Sequence, residues 1–188
     1  MKQPEQTIEP TYFTDTKPHY ELLNGLRGVA AILVVIYHIF EGFAFAQTAD
    51  GVGSGIITTL NHGHIAVDLF FILSGFVISY AYDDRWGTMS LNSFFKRRLI
   101  RLHPMLLMGV AIGVIAFIIV GCERWDGSTT PMHHVMVAMI LSMCMIPAIP
   151  GAQYEVRGNG EMFPLNGPSW SLFFEYIGNI CYALFMRR

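Results

Sequence analysis

Residues 102–121 read LHPMLLMGVAIGVIAFIIVG, twenty positions without an aspartate, glutamate, lysine or arginine. A helix needs about 20 mostly apolar residues to cross the hydrocarbon core of a bilayer, whereas the buried strands of soluble proteins stop after about four to eight. This stretch therefore predicts a transmembrane helix.

Four further apolar stretches approach that length, and they occupy residues 22–45, 65–82, 132–149 and 170–186. The chain of 188 residues is 53% hydrophobic and 14% charged, whereas a soluble domain carries about 25% charged residues. We therefore predict an all-α protein, a polytopic transmembrane helix bundle with about five spanning segments. Residues 1–20, which are polar, are predicted to form a cytoplasmic N-terminal tail, and residues 21–188 form the membrane domain.

The charge and cysteine content exclude several other classes of protein. A formal net charge of -2 gives no basic field for a nucleic acid. The three cysteines, Cys122, Cys144 and Cys181, form no Cys-x-x-Cys pair and indicate neither a disulfide framework nor a zinc site. The pairs His62/His64 and His133/His134 are weak as metal ligands, so we predict no metal.

The distribution of basic residues predicts the orientation of the first helices, because lysine and arginine resist translocation. The loop at 47–63 has neither residue, while the segment at 83–101 has five. We therefore expect a cytoplasmic N-terminus, with the third helix running outward. Strict alternation would then place Arg187 and Arg188 outside, against the same rule. Either the fourth stretch is re-entrant or the chain stops before the segment that would settle its topology.

Ionisable side chains inside the apolar stretches indicate function, since a charge near the bilayer centre costs a few kcal/mol unless it is paired or used. The first stretch contains Arg27, His38 and Glu41, the second contains Asp68 and the fifth contains Glu175. On a helix Arg27 and His38 share a face within about 20° but are separated by about 16 Å. Glu41 is within reach of the His38 ring on nearly the same face. From spacing alone, a packed histidine with a structural role is as good a reading of His38 as a catalytic one.

Four basic residues, Lys96, Arg97, Arg98 and Arg101, precede the third apolar stretch. A positive-inside anchor would explain all of them. Arg98 and Arg101 are also an i,i+3 pair that could hold one anion, and arginine matches phosphate geometry with paired donors. Within the stretch itself, Gly109 and Gly113 form a Gly-x-x-x-Gly pattern that predicts close helix packing.

Four blocks in this order resemble the acyltransferase 3 family. They are LNGLRGVAA at 23–31 followed by His38 (Arg-x10-His), AVDLFFILSGF at 66–76, FFKRRLIRLHP at 94–104 and PSWSLFFE at 168–175. The chain departs from the family pattern at Asn24, Leu106 and Tyr176, and in being shorter than most members. The resemblance therefore implies the N-terminal half of such an enzyme, part of a larger bundle.

The resemblance implies an integral protein of the bacterial inner (plasma) membrane that moves an acyl group, most often acetyl, from acyl-CoA to a hydroxyl of a surface or exported carbohydrate. It implies His38 as the catalytic histidine and Arg27 as its motif partner, with Arg98 and Arg101, beside Arg97, as the donor site. Asp68, Ser74, Trp170 and Glu175 are motif positions. We expect His38 to take the acceptor proton, with Glu41, Asp68 or Glu175 stabilising the imidazolium. Membrane lipid is the expected surrounding partner.

Two alternatives to an active acyltransferase stay open at this point. One is an inactive, truncated fragment that keeps the motifs without the rest of the bundle. The other is a proton-linked transporter, since intramembrane histidine and acids also build proton relays. The transporter would explain the acids but not the Arg-x-x-Arg segment, so heat released on binding coenzyme A would separate the two.

Overall fold

The computed structural model describes residues 20–48 and 63–186. The chain forms two compact units, Met1–Asn61 and His62–Arg188. The first unit contributes α1 (Glu21–Thr48). The second contributes α2 (Gly63–Tyr82), a turn of 3-10 helix (Asp83–Arg85), α3 (Leu91–Ile119), α4 (Met132–Met143) and α5 (Ser169–Met186). Each predicted stretch is helical over part or all of its length, which confirms the all-α class, while the predicted tail at 1–19 lies outside the described residues.

Three helices in the described ranges are long and apolar enough to cross a membrane, and these candidate spans are Glu21–Ile39, Ile65–Arg85 and Leu91–Ile119. The prediction that the fourth stretch, residues 132–149, spans the membrane is wrong. Its helix, α4, has only 12 residues and is about 18 Å long at 1.5 Å per residue, too short for a hydrocarbon core of about 30 Å. The fifth helix, α5, has 18 residues.

The third helix begins earlier than its apolar stretch predicts. Ser90 caps α3, and its side chain accepts a hydrogen bond from the backbone N–H of Ser93 at 3.2 Å. Helix α3 therefore starts at Leu91, and the basic residues at 96–101 lie inside its first three turns instead of preceding it. Hydroxyl capping of this kind satisfies a backbone donor that the first helical turn leaves open.

The glycines of α3 pack closely, as predicted, but against a loop and not against a helix. A Cβ placed on Gly113 would overlap the carbonyl oxygen of Leu165, and one on Gly109 would overlap the side-chain amide of Asn166. Both partners belong to the irregular segment that connects α4 to α5. Val156 and Leu165 of this segment are also buried in the core that α3 and α4 share.

The direction of α5 follows from its contacts with α2. In chain order these are Phe71 with Trp170, whose ring centroids are 6.3 Å apart, and Ser74 with Glu175, and they are followed by Asp83, in the turn directly after α2, with Tyr182. Because the contacts advance along both helices together, α5 runs parallel to α2. Its last described residue, Met186, therefore lies at the end of the bundle that carries the turn between α2 and α3.

This parallel arrangement agrees with the re-entrant alternative for the fourth stretch. Because α4 is too short to cross, the connection from α3 to α5 returns to the end of the bundle where α3 finishes, and α5 then runs back. Arg187 and Arg188 themselves lie outside the described residues. The chain approaches them from the same end of the bundle as the basic segment of α3.

Candidate active site

An ion pair between α3 and α5 forms the centre of the candidate site. Arg98 Nη2 donates to Glu175 Oε1 at 3.0 Å, and the Ser74 hydroxyl of α2 donates to the same oxygen at 2.8 Å. The Arg98 side chain is 4% exposed and that of Glu175 is 24% exposed. One carboxylate oxygen thus joins three helices, and the guanidinium is almost fully withdrawn from the surface.

The buried face of α3 explains why Arg98 points inward. The buried residues of this helix recur at intervals of four and then three positions: Phe94, Arg98, Leu102, Leu106, Val110, Val114 and Phe117. Neighbours in this series are offset by about 40° to 60° around the helix, so they form one continuous buried stripe that winds slowly around α3. A charge at one position of such a face must be paired, because desolvating an isolated ion costs several kcal/mol. Glu175 supplies the opposite charge.

Sequence reasoning missed the burial of Arg98, although a signal for it is present. The run of basic residues groups this arginine with its neighbours, whereas the apolar residues four positions before and after it predict an inward-facing position. Arg97 and Arg101 are exposed. They are an i,i+4 pair and lie on one flank of the face that carries Arg98, within about 100° of it. The structure thus separates Arg98, bound to Glu175, from the two arginines that remain at the surface.

A second contact between α3 and α5 lies beside the ion pair. The Tyr176 hydroxyl is 3.4 Å from His103 Nδ1, at a partly buried position. Nothing in the sequence singles out His103, and Tyr176 stands out only as a departure from the family pattern. A hydrogen bond between residues 73 positions apart has no local signature, so only the packing of the two helices reveals it.

The remaining candidate residue of the second unit, Asp68, is not brought to this cluster. It is exposed on α2. Six residues separate it from Ser74, which corresponds to about 240° around the helix, so the two side chains leave α2 on different faces. Asp68 therefore does not join Arg98 and Glu175.

The first unit carries the other candidates on α1. Arg27 is partly buried and His38 is exposed within this unit, and both belong to one continuous helix, as the predicted shared face requires. The His38 ring makes an edge-on contact with the Tyr37 ring, with centroids 5.3 Å apart. Glu41 lies in the last turns of α1, but its side chain is outside the described part of the chain.

A groove between α2 and α5 reaches the ion pair. It has a volume of about 170 Å³, its walls are the apolar side chains of Phe71, Ile78 and Phe174, and it includes Ser74 and Glu175. Gly75 and Gly178 line it from the two helices, and a Cβ on either glycine would meet no heavy atom within 4 Å. The groove is therefore an open, mostly apolar channel that carries a hydroxyl and a carboxylate.

Tyr182 marks the other end of this groove. Its hydroxyl donates to Asp83 Oδ1 at 2.5 Å and accepts from Trp86 Nε1 at 3.2 Å. The Tyr182 ring also packs against Phe94 in the first turn of α3, with centroids 5.9 Å apart. This end of the groove therefore lies at the same level as the start of α3, one turn before its basic residues.

Comparisons with known proteins identify the family to which this chain is similar. The profile of the acyltransferase domain matches residues 20–188. "Protein 2 in picA locus" of Rhizobium radiobacter is 34% identical over 178 residues, covering 89% of this chain and 82% of that protein. "Acyltransferase MdmB" of Streptomyces mycarofaciens is 33% identical over 171 residues, covering 88% of this chain and 38% of that protein.

A shorter region of the chain matches a protein whose name states an enzymatic activity. "Putative O-acetyltransferase SACOL0978" of Staphylococcus aureus (strain COL) is 33% identical over 90 residues, covering 46% of this chain and 12% of that protein. The chain thus spans most of one relative and less than half of the other two. No solved structure matches the chain.

Proposed function

The chain belongs to the acyltransferase 3 family. From that premise we propose that it transfers an acyl group, in this case acetyl, from acyl-CoA to a hydroxyl of a surface or exported carbohydrate. One observation carries the proposal. Ser74, Arg98 and Glu175 come from three separate sequence blocks of the family resemblance and meet at one carboxylate oxygen. Ionisable residues paired inside apolar, membrane-type helices are costly and rare, and they commonly mark a functional site.

In the proposed reaction His38 acts as the general base. Its neutral ring takes the proton of the acceptor hydroxyl while the hydroxyl oxygen attacks the thioester carbonyl. A carbon–oxygen bond forms, the carbon–sulfur bond breaks, and the proton passes from the imidazolium to the departing thiolate. Arg27 is the proposed motif partner of His38 on the same face of α1, about 16 Å away along the helix axis.

The three acids proposed to stabilise the imidazolium differ in what supports them. Glu41 has the closest spacing to His38 in sequence. Asp68 is exposed on α2 and has no part in the buried cluster. Glu175 already accepts from Arg98 and Ser74, which favours a positioning role in which it holds the guanidinium in place.

The donor site is proposed to lie on the first turns of α3. Arg97 and Arg101 offer exposed guanidinium groups, which fit the phosphates of coenzyme A, and Arg98 continues this set towards the interior. We further propose that the protein lies in the bacterial inner membrane, with its N-terminus and the basic end of α3 on the cytoplasmic side, because the basic residues are concentrated there.

The test is replacement of His38 by alanine in the whole chain. Membranes that contain the chain are supplied with acetyl-CoA and candidate sugars, and the release of free thiol is measured. We expect His38→Ala to lower the rate by at least about 100-fold, the usual contribution of a general base. His133→Ala is the matched control, since His133 is exposed on α4. A His38→Ala rate within twofold of the parent would exclude the proposed role.

A further inference from the structure

A small folded cap lies beyond the end of α3. It consists of a hairpin, residues 122–130, closed by an antiparallel bridge, together with residues 144–168, which connect α4 to α5. From Arg98 to Ile119 helix α3 rises about 32 Å, enough to cross a hydrocarbon core of about 30 Å. When α3 spans a membrane, the cap and the basic residues of α3 therefore emerge on opposite sides. A surface or exported carbohydrate would approach from the side of the cap.

The tip of the hairpin presents an aromatic residue, Trp125, which is 62% exposed. Its backbone N–H donates to the carbonyl of Arg157 at 3.0 Å. Next to it, Asp126 Oδ1 accepts from the backbone N–H and the hydroxyl of Ser128, at 2.9 and 2.6 Å. The backbone that carries the indole is thus held from both sides, and the ring is presented at the surface from a fixed base.

Two further contacts hold the hairpin to the connecting segment. The Thr130 hydroxyl donates to the carbonyl of Val156 at 2.8 Å, at a buried position. The Arg124 guanidinium lies over Gly158, where an added Cβ would come within 3.0 Å of its Nη2. The N–H of Gly158 in turn donates to Glu155 Oε1 at 2.9 Å, and Glu155 is 2% exposed. The two halves of the cap therefore form one fixed surface around the indole.

The surroundings of Trp125 suit a sugar better than a membrane surface. An indole combines an apolar face with a polar N–H, and a pyranose ring combines an apolar C–H face with hydroxyls. Residues 123–129 read ERWDGST, so Trp125 is the single large apolar side chain of the tip. A membrane anchor needs a larger apolar surface than one side chain provides. The two acids of the tip would also be repelled by anionic headgroups.

The charges of the tip indicate what kind of sugar it suits. Glu123 and Asp126 are exposed, whereas Arg124 is partly buried against Gly158. The hydrogen bond from the Ser128 hydroxyl lowers the pKa of Asp126, so this carboxylate stays ionised at neutral pH. Carboxylates accept hydrogen bonds from hydroxyls, and their negative charge disfavours a polysaccharide that itself carries carboxylates or phosphates.

We infer that the hairpin tip binds the acceptor, with Trp125 as the stacking platform for an uncharged sugar unit of an oligosaccharide. This role rests on the proposed function for the class of acceptor and for the side from which it comes. None of the residues proposed for the transfer belongs to the cap. Trp125 therefore holds a sugar unit away from the reacting hydroxyl, and it contributes to the affinity for the acceptor and not to the rate of transfer.

The kinetic test uses membranes that contain the whole chain, acetyl-CoA, and β-1,4-linked hexamers of glucose or of N-acetylglucosamine. Trp125→Leu should raise the KM for the hexamer at least about fivefold, the usual effect of losing an aromatic anchor. Its kcat and its KM for acetyl-CoA should change less than about twofold, because only binding of the acceptor is lost. Trp125→Phe keeps an aromatic ring and should restore most of the affinity. Ile149→Ala is the matched control, since Ile149 is a 64% exposed apolar residue of the same cap.

Binding is measured separately through tryptophan fluorescence. The emission of Trp125 is taken as the difference between the parent and Trp125→Phe, since the chain has only two other tryptophans. At least one neutral hexamer should change this emission. A hexamer of α-1,4-linked galacturonic acid should bind more weakly than the glucose hexamer. Phospholipids brominated near the headgroup should leave the emission of Trp125 unquenched.

Each opposite result would overturn part or all of this assignment. Quenching of Trp125 by brominated lipid would make it an interfacial anchor, and no response to either neutral hexamer would exclude the stacking platform. Equal or tighter binding of the galacturonic acid hexamer would remove the preference for uncharged sugars. A parental KM for Trp125→Leu would refute the role of Trp125 while leaving the proposed transfer intact. Neutral hexamers that bind at Trp125 without any release of thiol by the parent would refute the transfer and leave the sugar surface in place.

Discussion

Replacing Glu175 by glutamine tests the ion pair at the centre of the site. The variant keeps the shape of the side chain and an oxygen that can accept from Ser74, but it removes the charge opposite Arg98. At the observed separation of 3.0 Å the Coulomb attraction is about 5 to 6 kcal/mol for an effective dielectric constant of about 20. Losing one partner of a buried pair costs about 3 to 5 kcal/mol, because the other charge stays desolvated.

The partial exposure of the Glu175 carboxylate places the expected loss of stability at the lower end of the range for a buried pair. Glu175 is 24% exposed whereas Arg98 is 4% exposed, so water already screens one side of the pair. We therefore expect Glu175→Gln to lower the free energy of unfolding by about 3 kcal/mol, the lower end of the range. The measurement is unfolding by sodium dodecyl sulfate in mixed micelles, followed by tryptophan fluorescence.

Two further variants make the test specific to the pair. Arg98→Met in the Glu175→Gln background removes the stranded charge and should recover more than half of the loss, since a buried pair replaced by uncharged groups is often close to neutral. Arg97→Gln, at the exposed neighbouring position, should change stability by no more than about 0.5 kcal/mol. A loss below about 1 kcal/mol for Glu175→Gln, or a double variant no more stable than that single one, would refute the reasoning.

Two more predictions use the same unfolding measurement. Gly113→Ala should lower the free energy of unfolding by about 1 to 3 kcal/mol, because its Cβ would overlap the carbonyl oxygen of Leu165. Gly75→Ala, whose Cβ meets open space, is the control and should not lower it. Equal stability of the two variants would contradict the close approach of the loop. Tyr182→Phe should cost about 1 kcal/mol through loss of its hydrogen bond to Asp83, and an unchanged free energy of unfolding would show that this bond contributes nothing.

The helical class of this protein follows from the sequence because the length and apolarity of a stretch are local properties. The composition of residues 102–121 is enough to require a membrane helix, and α3 contains nearly all of them. The boundaries are less predictable. A capping serine at position 90 extends α3 over its basic residues, and α4 ends at Met143 although the apolar composition continues beyond it.

The candidate site could be predicted from the sequence only in part. The sequence supplies Glu175 as a charged residue inside an apolar stretch and Arg98 as one of the basic residues that precede another stretch, in both cases without knowledge of a partner. It could not supply their pairing, because residues 77 positions apart meet only through the packing of α3 against α5. His103 and Tyr176 were missed for the same reason.

The sequence by itself determined which segments are apolar and which residue types would be costly in a membrane, because transfer from water to hydrocarbon depends on composition over about 20 residues. Only the tertiary structure decided which partner stabilises each of those charged residues. The glycines of α3 leave room for the loop at Leu165, and the packing of α5 against α2 and α3 brings Glu175 to the guanidinium of Arg98. Charged residues that are far apart along the chain stabilise each other only when the packing of their helices brings them into contact.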